Sequence, residues 1–432
     1  MRTGLMMLTL IGLWAVSAAG QPPAKLGPVP GPTLSSIDRP PTVRVRVAKG
    51  VDRVSLGGPA FIAVRSASDP TIDPVRLRTP VAVARQGQAF LLRDAAGAGM
   101  TWRLRSMRID TPDGRPLTLD GTALPGRLVL HPVDVPIPSQ PTRLTPRIDA
   151  VNHVDLEQYL PGVLARELYA SWPEETFRAQ AIAARSYALW ERHRHQHRAH
   201  DLESTTASQA YVGLTQNPRA NRAVAATRGT VLSHDGRVVP AFYCSAVGRE
   251  AQDAAAVFAD RTPPIDPLRG GPRGAWDQPS PHYRWPTWRR PIDDASARVR
   301  AWTKASQHPA ASITRIARIN TLLHVDGRQR PAGFVVHDTA GRSHRFTPVD
   351  LRLALNHTDP TLPALSHNAA LKSSDCRFAV TGSVLVAQDG HGYGHGVGMS
   401  QWGAHAMANA GHDHRAILAH YYPGAALTRL YR

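Results

Sequence analysis

Short alternating runs of apolar and polar residues dominate the first third of the chain. Val43, Val45 and Val47 alternate with Arg44, Arg46 and Ala48, and similar runs recur at Phe61 to Val64, Val81 to Ala84 and Leu128 to Leu130, separated by Gly, Asp and Pro. A period of two broken by turn residues predicts strands and hairpins, so residues 43–146 read as a β-rich N-terminal region. At Asp155 the period changes. Leu156, Tyr159, Leu160, Val163, Leu164 and Leu168 fall at helical spacing; Pro161, which lacks an amide donor, marks an early turn or a restart of that helix. Ser171-Trp172-Pro173-Glu174 has the spacing of a capping box with Ser171 at the cap. A second helix is expected from there to about Glu191, with Phe177, Ala181, Ala184 and Ala188 forming a face small enough for close approach. Strands are expected at 230–232, 238–242, 313–319 and 334–337, and helices near 293–306 and from Ser400 to Gly411. The fold class that results is α+β: a β-rich N-terminal region followed by a mixed helix/sheet body over 147–432, with no internal repeat.

The N-terminus has a different character. Arg2, an apolar run from Leu5 to Val16 and the small residues Ser17, Ala18, Ala19 and Gly20 make residues 1–20 a secretory signal peptide, with cleavage expected near Ala19 or Gly20. Residues 21–42, rich in Pro, Gly and Ser, read as a flexible leader. No other stretch approaches the ~20 apolar residues of a membrane helix, so the mature protein is expected to be exported, to the periplasm or cell envelope, without a transmembrane segment. The chain carries 51 Lys and Arg against 33 Asp and Glu, a formal charge of +18, which favours an anionic partner. Export argues against nucleic acid and leaves the cell wall, wall polymers and lipid headgroups. The arginines are scattered and form no block, so the balance is equally the mark of an arginine-rich composition. Two cysteines, Cys244 and Cys376, are expected to pair as a disulfide in an oxidising compartment; as a pair they fall short of a zinc site. Four histidines between His193 and His200 lie among arginines, which suits a solvated helix end better than a metal site. No metal and no cofactor is expected.

Glu167 lies four residues after Val163, seven after Leu160 and eleven after Leu156, on the apolar stripe of the first helix. Burial there would raise its pKa, as a general acid requires; the alternative is an ion pair with Arg166 or Arg185. Between Gly390 and Ala404, glycine occupies every second position five times, from Gly390 to Gly398. If extended, that segment presents a bare face against which a polymer or another backbone could lie, with His391, Tyr393 and His395 on the other face. The alternative is a buried strand in which the glycines serve close packing. No Gly-Lys-Ser or Gly-Lys-Thr follows, so this is no phosphate loop.

Several segments together resemble the stage II sporulation protein D (amidase enhancer) family. They are Leu156-Glu157-Gln158-Tyr159-Leu160-Pro161-Gly162-Val163-Leu164-Ala165-Arg166-Glu167, Ser171-Trp172-Pro173-Glu174-Glu175, and the Ala179 to Ala188 run AQAIAARSYA. Ser208 to Gly213, Gly394 to Ala404 and Ile417 to Gly424 agree with it as well. The resemblance implies that 147–432 is a catalytic and glycan-binding domain acting on peptidoglycan as a lytic transglycosylase. That chemistry cleaves between N-acetylmuramic acid and N-acetylglucosamine and leaves a 1,6-anhydro end. It assigns Glu167 as the catalytic glutamate and places Gln180, Arg185, Gln209, Tyr211, His395, Ser400 and Gln401 around the glycan groove. One carboxyl group suffices, because the sugar's own C6 hydroxyl attacks C1. Relatives that bind metal carry a His-Ser pair and further cysteines where this chain has Tyr243-Cys244-Ser245-Ala246-Val247-Gly248, which puts a zinc site in doubt and leaves Cys244 as the first candidate ligand. The alternative function is a non-catalytic peptidoglycan-binding protein that enhances an N-acetylmuramoyl-L-alanine amidase. The expected partners are therefore glycan strands and, in that alternative, a cell-wall amidase.

Overall fold

The computed structural model describes residues 27–103, 105–137, 140–258, 260–325 and 327–432. The expected signal peptide, 1–20, lies outside the described residues, as does the leader up to 26. From Val29 onward the leader is tied down: its backbone donates from Val29 to the Arg261 carbonyl, from Leu34 to Gly236 and from Ile37 to Leu430. Order thus begins before Val43, because a proline-rich segment with few amides can still pair the ones it has with a neighbouring surface.

The β-rich region forms two sheets, antiparallel except where Leu202–Glu203 joins Thr42–Val51 in parallel. In the seven-stranded one, Leu202–Glu203, Thr42–Val51, Gln140–Asp155, Arg127–Ile137, Met107–Asp110, Phe61–Ser66 and Val75–Arg78 lie side by side in that order; a six-stranded sheet runs Thr122–Leu124, Leu117–Leu119, Arg53–Gly57, Val81–Gln86, Ala89–Arg93, Gly99–Trp102. The alternation read from the sequence sorts as expected: Val43 and Val45 are fully buried, while Arg44 and Arg46 lie at the surface edge and pair with Asp201 and Glu203.

The strand Gln140–Asp155 passes straight through the 146/147 boundary and hands the chain to the first helix, so the two regions share a backbone element. They also share one hydrophobic core, from Val43 through Tyr431, whereas residues between Trp285 and Ala387 build a second, separate core. That second cluster contains the helices Ile292–Ala305 and Pro348–Leu355 with the strands around them.

Helix α1 spans Leu156–Glu167 and helix α2 spans Glu174–Arg194. The Asp155 side chain caps α1 by accepting from the Glu157 amide at 2.7 Å. The helix continues through Pro161 without a restart, because the buried stripe of Leu156, Tyr159, Leu160, Val163 and Leu164 outweighs one missing backbone bond. The capping box does not form. Pro173 occupies the cap of α2, no side chain caps it, and Glu174 and Glu175 supply negative charge to the first turn instead. At its other end α2 runs past Glu191 to Arg194.

Arg185 provides the main correction to the expected site. Its side chain is fully buried, and Nε and one terminal nitrogen grip Glu157 Oε1 and Oε2 at 2.8 and 2.9 Å; the other donates to the Thr230 carbonyl at 3.0 Å. Burial pushes the Glu157 carboxyl up, but Arg185 and the Tyr431 hydroxyl more than reverse this and hold it below the usual range. Arg185 is thus a buried clamp between α1 and α2, with no face left for a ligand.

Cys244 and Cys376 are buried free thiols and form no disulfide. Cys376 belongs to the second core, while Cys244 lies in a short strand, Tyr243–Cys244, paired with Met399–Ser400; burial pushes the Cys244 thiol up to about 12. Within the 193–200 histidine stretch, His195 and His200 engage Glu191 and Glu203. Among the described residues no helix is long and apolar enough to cross a membrane.

Removing one partner of the Glu157–Arg185 pair strands a buried charge. Glu157→Ala is expected to lower stability by about 3–5 kcal/mol, measured from the urea unfolding midpoint. The double change Glu157→Leu with Arg185→Met should recover most of that loss.

Candidate active site

Glu167 is the last residue of α1, and its half-buried side chain leaves the helix end toward two other parts of the chain. Oε1 accepts from the Ala210 amide at 3.0 Å and Oε2 accepts from Gln401 Nε2 at 3.1 Å. Among the described residues no ion pair reaches it, since Arg185 is taken by Glu157. Burial pushes the carboxyl above the usual carboxylate range despite both hydrogen bonds, and the negative end of the α1 dipole acts in the same sense. The result is a carboxyl held in place by neutral donors and biased toward its protonated form.

Two glutamines, both fully or nearly buried, set this geometry. Gln209 accepts from the Tyr159 hydroxyl at 3.1 Å and donates to the Ala184 carbonyl and the Tyr243 hydroxyl at 3.2 and 3.0 Å. It therefore bolts its segment to α1, α2 and the Tyr243 strand, and fixes the amide of the next residue, Ala210, at Glu167. Close approach is possible because α1 carries Gly162 there: a Cβ at that position would stand 2.2 Å from the Gly213 carbonyl oxygen. Gln401 is delivered by the helix Gln401–Asn409. Ser400 caps that helix, its Oγ accepting from the Gly403 amide at 3.1 Å.

The glycine-rich segment does not form the extended ribbon expected of it. After a strand ending at His391, Gly392, Gly394, Gly396 and Gly398 all have positive φ, between 71 and 112°. The chain coils against residues 242–247, and at Gly398 a Cβ would lie 1.9 Å from the Phe242 carbonyl oxygen. His391, Tyr393 and His395 accordingly go separate ways, against Tyr283, His282 and the Phe242–Phe258 pair. The alternation serves left-handed backbone and close packing, which bring Ser400 and Gln401 to α1.

A cleft of about 230 Å3 opens beside this centre, with Tyr187, Ser208, Tyr243, Arg261, Arg352 and His395 among its lining residues. Glu167 does not line it; Ser208 and Tyr243, neighbours of Ala210 and Gln209, join the two. Burial and the nearby Arg352 guanidinium push His395 down to about 3. It is a neutral imidazole whose Nδ1 accepts from the Val397 amide at 3.0 Å.

Of the residues expected around a groove, Gln401 touches Glu167 and His395 faces the cleft. Gln209 is fully buried and acts through the Ala210 amide. Ser400 is fully buried as a helix cap. Tyr211 is buried against Tyr159, its hydroxyl donating to Asn152 Oδ1 at 3.1 Å; it also borders a separate cleft of about 410 Å3 beside Arg166 and Gly213. Gln180 is fully buried on α2, and neither atom of its amide has a partner among the described residues. The same site uses residues that pattern reading passed over. Ala210 works through its backbone, which leaves no trace in side-chain type, and Tyr243, Arg261 and Arg352 come from a strand, a turn and the Pro348–Leu355 helix, all distant from α1 in sequence.

Among the described residues, no group of three or more His, Cys, Asp and Glu is placed to hold a metal ion.

A family model described as stage II sporulation protein matches residues 145–234, which include α1, α2 and the Gln209 segment. The chain is 28% identical over 296 residues to the amidase enhancer of Bacillus subtilis (strain 168), a match covering 62% of this chain and 40% of that protein. It is 28% identical over 325 residues to an uncharacterized protein of Brachyspira hyodysenteriae, covering 73% of this chain and 74% of that one. With the stage II sporulation protein D of Bacillus amyloliquefaciens it shares 24% identity over 296 residues, covering 65% and 76% respectively.

A carboxyl whose pKa rises on folding binds its proton more tightly in the native state, so its burial weakens stability at pH above the folded pKa and the penalty fades as pH falls. Glu167→Gln keeps the size and can pair with a flipped Gln401 amide. It is expected to raise the melting temperature at neutral pH, with the gain over the unaltered protein vanishing in acid; a gain that grows toward low pH would contradict the assignment.

Proposed function

From the premise that the chain belongs to the stage II sporulation protein D and amidase-enhancer family, and so has a cell-wall related role, we propose that it is a lytic transglycosylase of peptidoglycan glycan strands with Glu167 as its acid and base. The observation that carries this reading is the environment of Glu167: half-buried, with its carboxyl pushed above the usual range by burial, free of an ion pair among the described residues, and held by the Ala210 amide and Gln401. Such a group can keep a proton where an exposed carboxylate could not.

In the proposed reaction the protonated Glu167 carboxyl gives its proton to the oxygen bridging C1 of N-acetylmuramic acid and C4 of N-acetylglucosamine, and the C1–O bond breaks. The C6 hydroxyl of the same muramic acid attacks C1, closing the 1,6-anhydro ring, and its proton passes to the Glu167 carboxylate. The enzyme ends as it began, and neither water nor a second carboxylate is consumed. Gln401 suits both stages, since its amide can donate to the carboxylate and, turned over, accept from the acid. His395, held neutral, offers no charge that would lower the Glu167 pKa. Export to the periplasm or cell envelope is part of the same reading.

A second reading rests on the name of one relative, the amidase enhancer: a protein that binds glycan and promotes an amidase without turnover of its own. Position 167 separates the two. Purified glycan strands incubated with the protein are expected to yield 1,6-anhydro ends by mass spectrometry, and Glu167→Gln should lower their yield by roughly a hundredfold or more, the scale of losing a general acid. Equal yields from both proteins would remove Glu167 from the mechanism, and no anhydro ends from either would leave the enhancer reading.

A further inference from the structure

Four aromatic rings form a ledge on the turn that follows α1 and on the Gln401–Asn409 helix, next to the Glu167 centre. Tyr169, two residues beyond Glu167, is a large ring left 59% exposed. It stands 5.3 Å from Trp172 and 5.9 Å from Trp402, the residue after Gln401; Trp172 and Trp402 are 5.0 Å apart, nearly edge to face. His405, one turn further along the Gln401–Asn409 helix, stacks on Trp172 at 4.6 Å and 17°. Trp172 is buried and supports the others from below.

The ledge is held from several sides. The Trp172 amide donates to the Tyr169 carbonyl at 3.0 Å, closing a tight turn after α1, and Arg219 donates to the Ala170 carbonyl. On the other side the Trp402 amide donates to the Ser245 carbonyl at 3.0 Å. The Glu167–Gln401 hydrogen bond ties the two halves together, so the rings and the carboxyl keep a fixed relation. A lone exposed tyrosine needs no explanation. Here the exposed ring is the outermost of a braced stack, ordered before any ligand arrives, and it adjoins both residues that meet at the carboxyl.

The chemistry of the ledge selects its occupant. Tyrosine and tryptophan present flat, polarizable faces with polar edges, and a pyranose has the matching form, with an apolar face of C–H bonds and a rim of hydroxyls. The rings themselves are uncharged, and burial pushes the His405 imidazole down, so nothing in the stack would draw an anion. We propose that the Tyr169–Trp402 ledge is a sugar-stacking subsite that seats one pyranose ring of the glycan strand next to the residue being cleaved. The proposal rests on the reading of the Glu167 centre as a glycan site, but it concerns affinity and register rather than proton transfer.

The test uses the full chain and a soluble β-1,4-linked N-acetylglucosamine tetramer, with titration followed by calorimetry and by tryptophan fluorescence, which Trp402 and Trp172 should report. Tyr169→Ala, an exposed change, is expected to weaken tetramer binding by roughly tenfold or more, as loss of an aromatic anchor does. Tyr169→Phe and Tyr169→Trp should stay within about threefold of the unaltered protein, because the ring face rather than the hydroxyl makes the contact. On glycan strands Tyr169→Ala should raise KM with kcat little changed. Unaltered affinity in Tyr169→Ala, an equal loss in Tyr169→Phe, or no binding of the tetramer to the unaltered protein would each overturn the subsite. Tyr169-dependent binding without any anhydro product would instead uphold the ledge and remove the transglycosylase. Glu167-dependent product with a Tyr169→Ala protein of normal KM would do the reverse.

Discussion

The bidentate pair between Glu157 and Arg185 is the contact on which the rest of the site depends. It joins the first turn of α1 to the middle of α2 in a place where neither charge meets water, and it draws in the Thr230 carbonyl and the Tyr431 hydroxyl from the far end of the chain. Glu167 lies ten steps along α1 from Glu157, a rod of about 15 Å at the helical rise per residue. Fixing one end therefore aims the other. The pair also has an electrostatic consequence: it occupies the one fully buried guanidinium on the inner face of α2. Had Arg185 met Glu167 instead, the carboxyl would be held ionised, and a proton donor could not exist there.

The groups that hydrogen-bond Glu167 are polar but uncharged, and the one cation that acts on it, the exposed Arg166 beside it, does not overcome the effect of burial. The Ala210 amide and the Gln401 side chain satisfy its oxygens without fixing its protonation state, as a cation would. Both donors are placed by elements with other structural duties: Gln209 bridges three elements, and the coiled glycine segment packs on residues 242–247 before releasing Ser400 and Gln401 into a helix. Loosening any of these contacts would shift a donor, and in a half-buried site such a shift changes the pKa as well as the geometry. The position and the proton affinity of the Glu167 carboxyl are thus set by the same packing.

The sequence revealed this site unevenly, for reasons that can be traced to particular residues. The α1 stripe was legible because its period is long and regular, and Glu167 stood out as a carboxylate on that stripe. Glu157 sits in the first turn of the same helix, yet spacing alone could not tell which of the two acids would face Arg185, since that depends on how α1 and α2 cross. The glycine alternation was visible as a period of two and read as strand, but a period of two in glycines carries no side-chain preference, and four left-handed residues produce the same pattern. Ser171 and Glu174 had capping-box spacing, which Pro173 overrode by taking the cap itself. Ala210 left no signal because its contribution is a backbone amide.

The charge balance shows the same limit of composition. Several arginines counted toward the excess of positive charge are not surface groups: Arg290, Arg298 and Arg330 are almost wholly buried, and each donates to backbone carbonyls, Arg330 to Val247 and Glu250, Arg298 to His357 and Pro363, and Arg290 to Leu355 and Ala369. A guanidinium has five donors in a rigid fork, so it can satisfy the carbonyls of irregular segments that no ladder reaches, and this chain uses it for that purpose. Arg330 also lies under Gly396, where a Cβ would stand 2.3 Å from its terminal nitrogen, so one such clamp supports the coil that presents Gln401. Part of the positive charge is therefore structural, holding loops whose carbonyls would otherwise be buried unpaired. The net charge is accordingly a poor guide to what the protein binds, because part of it is used inside the fold on backbone carbonyls.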